Sequence, residues 1–101
     1  KAAVPIGLII NEMATNALKH GYGGVQEPVF SVRLSEDKEK KELVLKLSNN
    51  GAPFPENIEL ENADTLGLRL ISALIGQIDG SIELKRTPHP AFTVRLPAEE
   101  D

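Results

Sequence analysis

Apolar residues recur with a helical period in the first twenty positions of the chain. Pro5 suits the first turn of such a helix, and Gly21 suits a left-handed end. On a wheel of about 100° per residue, the apolar side holds Ile6, Ile10, Met13, Ala14 and Ala17. The other side holds Glu12, Asn16, Lys19 and His20. The pattern therefore predicts an amphipathic helix with a chemically distinctive polar face.

Apolar and polar residues alternate in four further segments, which is the pattern of half-buried strands. A charged run at residues 36–42 separates the first two strands and is typical of a solvated hairpin turn. Pro88 and Pro90 flank the turn between the last two, where His89 is expected to be a surface residue. The inward residues are predicted to be Phe30, Val32 and Leu34; Leu43, Leu45 and Leu47; Ile82 and Leu84; and Phe92, Val94 and Leu96.

A long loop and a second helix lie between the two hairpins. Residues 49–64 have no clear period, and loops of this length in small domains are usually functional or mobile. Asp64 or Thr65 can cap the following helix, and Asp79-Gly80 ends it. The apolar face of this helix consists of Gly67, Leu70, Ile71, Leu74, Ile75 and Ile78.

The order helix, hairpin, loop, helix, hairpin predicts the fold class. Each strand has one apolar face and each helix one apolar stripe, and these match if both helices cover the same side of a mainly antiparallel sheet. We therefore expect a two-layer α/β (α+β) sandwich. The opposite face of the sheet is expected to be mostly wet and carries Ser31, Arg33, Val44, Lys46, Glu83 and Arg95.

Composition narrows the functional classes. The 101 residues, 41% of them hydrophobic, fit one compact domain at 1–101. There is no cysteine, and 15 acidic residues against 11 basic ones argue against nucleic acid as the main partner. The longest nearly apolar run, 2–10, is too short to span a bilayer. We expect a cytoplasmic domain without direct membrane insertion, excised from a longer protein because residue 1 is lysine.

The polar face of the first helix suits magnesium and phosphate. Magnesium prefers oxygen ligands, and the amide oxygen of Asn16 can supply one. Glu12, one turn earlier, can orient a magnesium-bound water or act as a general base, and Lys19 can neutralise phosphate charge. The alternative interpretation is a solvated face on which Glu12 and Asn16 make only an i,i+4 contact.

Three blocks stand in order along the chain: Asn11-Glu12-x-x-x-Asn16-Ala17-x-Lys19, then Asn49-Asn50-Gly51-x-Pro53, then Thr65-Leu66-Gly67-Leu68-x-Leu70. With these blocks the chain resembles the ATP-binding catalytic domain of bacterial sensor histidine kinases, in the GHKL or Bergerat-fold group that includes gyrase, Hsp90 and MutL. The blocks correspond to the N box, the adenine-binding box and the second glycine box of that family. The resemblance covers nearly the whole chain and is closest to the branch with a short nucleotide lid.

The resemblance implies a protein kinase domain that uses ATP and Mg²⁺. The γ-phosphate would pass to a histidine on a separate dimerisation domain of the same parent protein, and a response regulator would act downstream. On its own the chain is expected to have little or no activity. A different class remains open, an ATP-hydrolysing clamp protein of the gyrase or Hsp90 type, but those proteins have longer lids and extra domains.

The resemblance also implies the site residues. Glu12 is the catalytic residue and Asn16 the metal ligand. His20 either stacks beside the purine or caps the helix end, where a cation is favoured. The remaining residues of the ATP site are Lys19, Asn49, Gly51, Thr65, Leu66, Gly67 and Leu68.

The adenine-binding box departs from the family pattern. The family has aspartate where this chain has Asn49, and Pro53 replaces the second glycine of the box. An amide oxygen can still accept from the adenine amino group, but losing the charge-assisted bond costs about 1–2 kcal/mol. Pro90-Ala91 also replaces the usual Gly-Thr before the last strand. The second hypothesis is therefore a degenerate domain that keeps the fold and acts as a regulatory or interaction module.

Overall fold

The computed structural model describes residues 3–21, 24–54 and 66–98, and gives the backbone alone for 20–21 and 66–68. The predicted cap at Asp64 or Thr65 lies outside these residues. Helix α1 (Ala3–Asn16) continues into a π-helical turn (Ala17–Gly21), and α2 covers Leu66–Gln77. The strands are β1 (Phe30–Asp37), β2 (Glu42–Asn49), β3 (Ser81–Lys85) and β4 (Ala91–Pro97).

The four strands form one sheet in the order β1-β2-β4-β3, and every neighbouring pair is antiparallel. Cross-strand partners place Leu34, Leu45, Val94 and Ile82 in one row across the sheet. Because paired residues of an antiparallel sheet share a face, this row marks the side on which the helices lie.

Both helices cover that side, which confirms the predicted two-layer α+β sandwich. The helices also pack against each other, and α2 contacts β3. Among the described residues no helix is long and apolar enough to cross a membrane. The buried core unites both layers and consists of Ile9, Met13, Leu45, Leu47, Ile71, Leu74, Ile75, Phe92, Val94 and Leu96.

The core-facing side of α1 differs from the predicted one by a fraction of a turn. Ile9 is fully buried and Met13 nearly so, whereas Ile6 and Ile10 are only partly buried at the margin of the core. The wheel had centred the apolar side on Ile6, Ile10 and Met13, since all three are large and apolar. The true centre lies closer to the polar face, so Asn16 borders the core.

Strand β1 is more exposed than its alternation predicted. Val32 and Leu34 are 47% and 56% exposed, and only Phe30 packs against the core. Their cross-strand partners Leu47 and Leu45 are buried, so the side chains point the expected way. The difference arises because β1 is the sheet edge, and the helices of the described structure do not cover it.

The outer face of the sheet contains one buried apolar residue. Val44 was expected on the wet face, yet it is 6% exposed. It pairs with Ser35 on one side and Arg95 on the other. Long charged side chains cover apolar neighbours with their methylene stems, which accounts for its burial beside Arg95 and Lys46.

Candidate functional site

The polar residues of α1 lie at the edge of the core. Glu12 and Asn16 are half-buried, while Lys19 in the π-helical turn is exposed. The Asn16 amide nitrogen Nδ2 is buried and has no hydrogen-bond partner among the described residues. Buried polar groups are normally paired, so this unpartnered N–H donor is available to an acceptor atom of a ligand.

The π-helical turn changes the direction of the residues after Asn16. In the last turn of α1, two residues before the π-helical turn, the Thr15 hydroxyl donates to the Asn11 carbonyl at 2.8 Å, a side-chain bond that weakens regular helix geometry. A π-helix turns through a smaller angle per residue than an α-helix, so Lys19 lies at a different angle around the helix axis from the one that the regular wheel gives. Such turns are frequent at functional sites.

Asn49 closes strand β2 on the helix-bearing face. It follows Leu45 and Leu47 at a spacing of two, so its side chain shares their side of the sheet. Its amide oxygen Oδ1 accepts from the Gly51 backbone N–H at 2.8 Å. Among the described residues that bond uses one acceptor position and leaves another, together with both Nδ2 hydrogens.

Asn50 ties the loop to the segment that leads into β1. Its Oδ1 accepts from the Val29 N–H at 2.9 Å, and its Nδ2 donates to the Glu27 carbonyl at 2.8 Å. A backbone bond from Asn50 N–H to the Val29 carbonyl at 3.2 Å completes the contact. The loop is therefore fixed on this side by a side chain that the sequence did not single out.

The β3–β4 turn holds the same loop from the other side. The Asn49 N–H donates to the Pro90 carbonyl at 3.2 Å, and the Phe54 N–H to the Arg86 carbonyl at 3.0 Å. The Phe54 ring meets Phe92 edge to face at 5.8 Å, and the Arg86 guanidinium lies 5.4 Å from the Phe54 ring centre. Loop and turn thus form one joined unit.

His89 has a second role besides lying on the surface. Its side chain is largely exposed as expected, but Nδ1 lies 2.7 Å from the carbonyl oxygen of buried Gly51. A carbonyl only accepts, so Nδ1 carries the proton in this contact. No sequence pattern could have found it, because 38 residues separate the partners.

The second glycine box coincides with the start of α2. Leu66, Gly67 and Leu68 form its first turn, where backbone N–H groups have no partner within the helix. Thr65 lies outside the described residues. Since α2 packs beside α1, the N box and this box belong to neighbouring helices of one layer.

The core joins the helix part of the candidate site to the strand part. Met13, one turn before Asn16, and Leu47, two residues before Asn49, belong to the same buried cluster. An open concavity of about 530 Å³ lies elsewhere, beside Ser35, Val44 and Arg95, and includes no predicted site residue. No group of three or more His, Asp or Glu residues that could hold a metal occurs in the described ranges.

The fold is a two-layer α+β sandwich in which the N box and the second glycine box lie on neighbouring helices. Residues 2–100 match the family described as "Histidine kinase-, DNA gyrase B-, and HSP90-like ATPase". The chain belongs to this family.

Relatives and solved structures agree with that assignment. The chain is 30% identical over 83 residues to blue-light-activated histidine kinase 1 of Erythrobacter litoralis, covering 82% of the chain and 22% of that protein. It is 25% identical over 84 residues to sensor histidine kinase PdtaS of Mycobacterium tuberculosis, covering 82% of the chain and 17% of that protein. The chain therefore spans about a fifth of these relatives.

The histidine kinase domain of Erythrobacter litoralis EL346 superimposes with a TM-score of 0.85 at 25% identity, over 95% of this chain and 44% of that chain. The Acinetobacter baumannii histidine kinase AdeS gives 0.76 at 17% identity, over 95% of this chain and 47% of that chain, and shares the fold.

Proposed function

We propose that the chain is the Mg-ATP-binding catalytic domain of a sensor histidine kinase. The observation that carries the proposal is half-buried Asn16 on α1 of a chain of this ATPase family, whose Nδ2 donor is buried and has no partner among the described residues. A single amide oxygen, that of Asn16, fits a magnesium ion that is held mainly by nucleotide phosphates. Magnesium is commonly bound through one or two protein ligands plus phosphates, and Asn16 supplies one such ligand.

Three residues of α1 and its π-helical turn would act at the phosphate groups of the nucleotide and at the metal ion. Asn16 would turn its amide oxygen to the metal, and half-buried Glu12 would accept a proton or orient a metal-bound water. Exposed Lys19 would approach the phosphates as a point charge. When bound, the ion neutralises phosphate charge, which favours phosphoryl transfer. The N–H groups at Leu66, Gly67 and Leu68 are suited to the same anion.

The loop after β2 would bind the base. Asn49 keeps one acceptor position for an amino group and two N–H donors for a ring nitrogen, although its oxygen already accepts from Gly51. Asparagine pairs with adenine in this two-point manner elsewhere. His20 would stack beside the purine or cap the helix end.

The phosphate acceptor would be a histidine on another domain of the parent protein, with a response regulator as the next acceptor. The relatives named as histidine kinases are four to six times longer than the matched region, which supports this division. We expect the domain to be cytoplasmic and nearly inactive on its own.

The test is calorimetric titration of the chain with ADP, once in the presence and once in the absence of Mg²⁺. Wild type is expected to bind, and Lys19→Met to bind roughly tenfold more weakly, since a bond to a charged group contributes about 1.5 kcal/mol. Lys40→Met is the matched control, because Lys40 is an exposed lysine in the β1–β2 turn. Absence of binding by wild type at millimolar Mg-ADP would refute the proposal.

The degenerate-domain alternative is favoured by one observation. The Asn49 oxygen is already engaged by Gly51, and asparagine lacks the charge of the family's aspartate. Asn49→Asp separates the two functions. If wild type binds and the variant gains less than about tenfold, the amide is a working substitute. If binding appears only in the variant, the natural chain is a degenerate module.

A further inference from the structure

Two consecutive hydrogen bonds connect Asn49 to the β3–β4 turn. The His89 Nδ1–H bonds to the Gly51 carbonyl at 2.7 Å, and the Gly51 N–H bonds to Asn49 Oδ1 at 2.8 Å. Gly51 is buried and Asn49 half-buried, while His89 is reached from solvent. The two peptide groups that flank Gly51 are thus fixed from both sides.

Three hydrogen bonds described above join the β3–β4 turn to this loop, and the one from His89 uses a side-chain atom of the turn. The bonds to Arg86 and Pro90 use backbone atoms of the turn and survive most substitutions. The Asn50 bonds fix the far side of the loop against residues 27–29. His89 therefore provides a side-chain hydrogen bond that restrains the Gly51 peptide on the turn side and that a substitution can remove.

We infer that His89 is a positioning residue for base recognition. By holding the Gly51 carbonyl it restrains the position of Gly51, whose N–H bonds to Asn49 Oδ1, and so narrows the range of orientations open to the Asn49 amide. A base-reading amide must be oriented before binding, because an ordering cost paid at binding reduces affinity. His89 then contributes to selectivity for adenine without touching the nucleotide. This inference rests on the proposed function.

The experiment compares His89→Leu with His89→Asn. The two replacements have the same branched outline, and asparagine retains a donor near the Nδ1 position. Affinity is measured for Mg-ADP and for Mg-IDP, whose base lacks the exocyclic amino group. His89→Leu is expected to weaken Mg-ADP binding about fivefold, the effect of one hydrogen bond, and to leave Mg-IDP nearly unchanged. His89→Asn should restore the wild-type ratio to within about twofold.

Two controls complete the experiment. Lys85→Ala, at an exposed β3 position, should keep both affinities of wild type. Amide hydrogen exchange without nucleotide should show faster exchange at Gly51 in His89→Leu, and restored protection in His89→Asn. A general loss of stability would not change the ratio of the Mg-ADP and Mg-IDP affinities, and asparagine at position 89 would not restore it.

The outcomes separate the two proposals. If wild type binds neither nucleotide, the proposed function is refuted, and the role of His89 in base recognition is refuted with it. If wild type prefers Mg-ADP and His89→Leu keeps the same preference, the inference is overturned while the proposed function stands. Equal weakening of Mg-ADP and Mg-IDP would also overturn it, since a positioning role for the base-reading amide must change their ratio.

Discussion

At the scale of single residues, Asn16 combines a stability cost with a proposed function. Its buried Nδ2 has no partner within the described structure, and an unpaired buried amide costs about 1–3 kcal/mol. Functional sites commonly retain such groups, because a polar atom waiting for a ligand cannot also be satisfied within the fold. The cost in the free domain and the proposed metal contact are therefore two aspects of the same side chain.

Asn16→Leu should accordingly separate stability from binding. Leucine has the same branched outline without the polar atoms, so we expect the free energy of unfolding to rise by about 1 kcal/mol in urea titrations. Magnesium-dependent binding of ADP should be lost. Asn11→Leu is the control, because Asn11 is exposed and gains nothing from losing its amide. A less stable Asn16→Leu would show that the amide is satisfied in the folded state.

At the scale of elements, the sequence predicts a helix end or a strand correctly where the structure depends on residues close together in the chain. The strand alternation and the Asp79-Gly80 stop both agree with the structure, because each depends on neighbours in sequence. The π-helical turn was not predicted, since the 3.6-residue period assumes a regular helix. Neither was the Gly51–His89 contact, which joins residues far apart in the chain. The sequence pattern therefore could not give the position of Lys19 relative to Asn16.

The end of α2 offers a test of left-handed geometry. Asp79 has a φ of 54°, and bonds from Asp79 N to Gly76 O at 3.2 Å and from Gly80 N to Ile75 O at 2.9 Å form a Schellman motif. Glycine is favoured at the left-handed position, so Asp79→Gly should stabilise the domain by about 0.5–1 kcal/mol.

The neighbouring glycine provides the matched control for that substitution. A Cβ at Gly80 would lie 2.8 Å from the Arg95 carbonyl oxygen, so Gly80→Ala should lower the melting temperature while Asp79→Gly raises it. Thermal unfolding followed by circular dichroism measures both. An unchanged or lower melting temperature in Asp79→Gly would mean that the side chain of Asp79 already relieves the backbone strain.

At the scale of the whole molecule, the fold class followed from matching apolar faces, whereas the extent of coverage did not. Alternation tells which face of a strand is apolar, but only the tertiary arrangement decides whether another layer lies over that face. Strand β1 is at the sheet edge, so Val32 and Leu34 have the correct orientation and remain exposed. The tertiary arrangement also decides which residues of α1 are buried: Ile9 lies in the core, whereas Ile6 is only partly buried at its margin.

Leu34 and Leu45 test this difference directly, because they are cross-strand partners of the same type on the same face. Leu45 is 1% exposed and Leu34 is 56% exposed. Removing a buried leucine side chain costs its transfer free energy and leaves a cavity, so Leu45→Ala should lower the free energy of unfolding by about 3 kcal/mol. Leu34→Ala should cost about 0.5 kcal/mol, which is typical of an exposed position. Urea titrations of both variants give the comparison. A loss of about 2 kcal/mol or more in Leu34→Ala would mean that β1 is covered in solution, and that the two-layer core extends to the sheet edge.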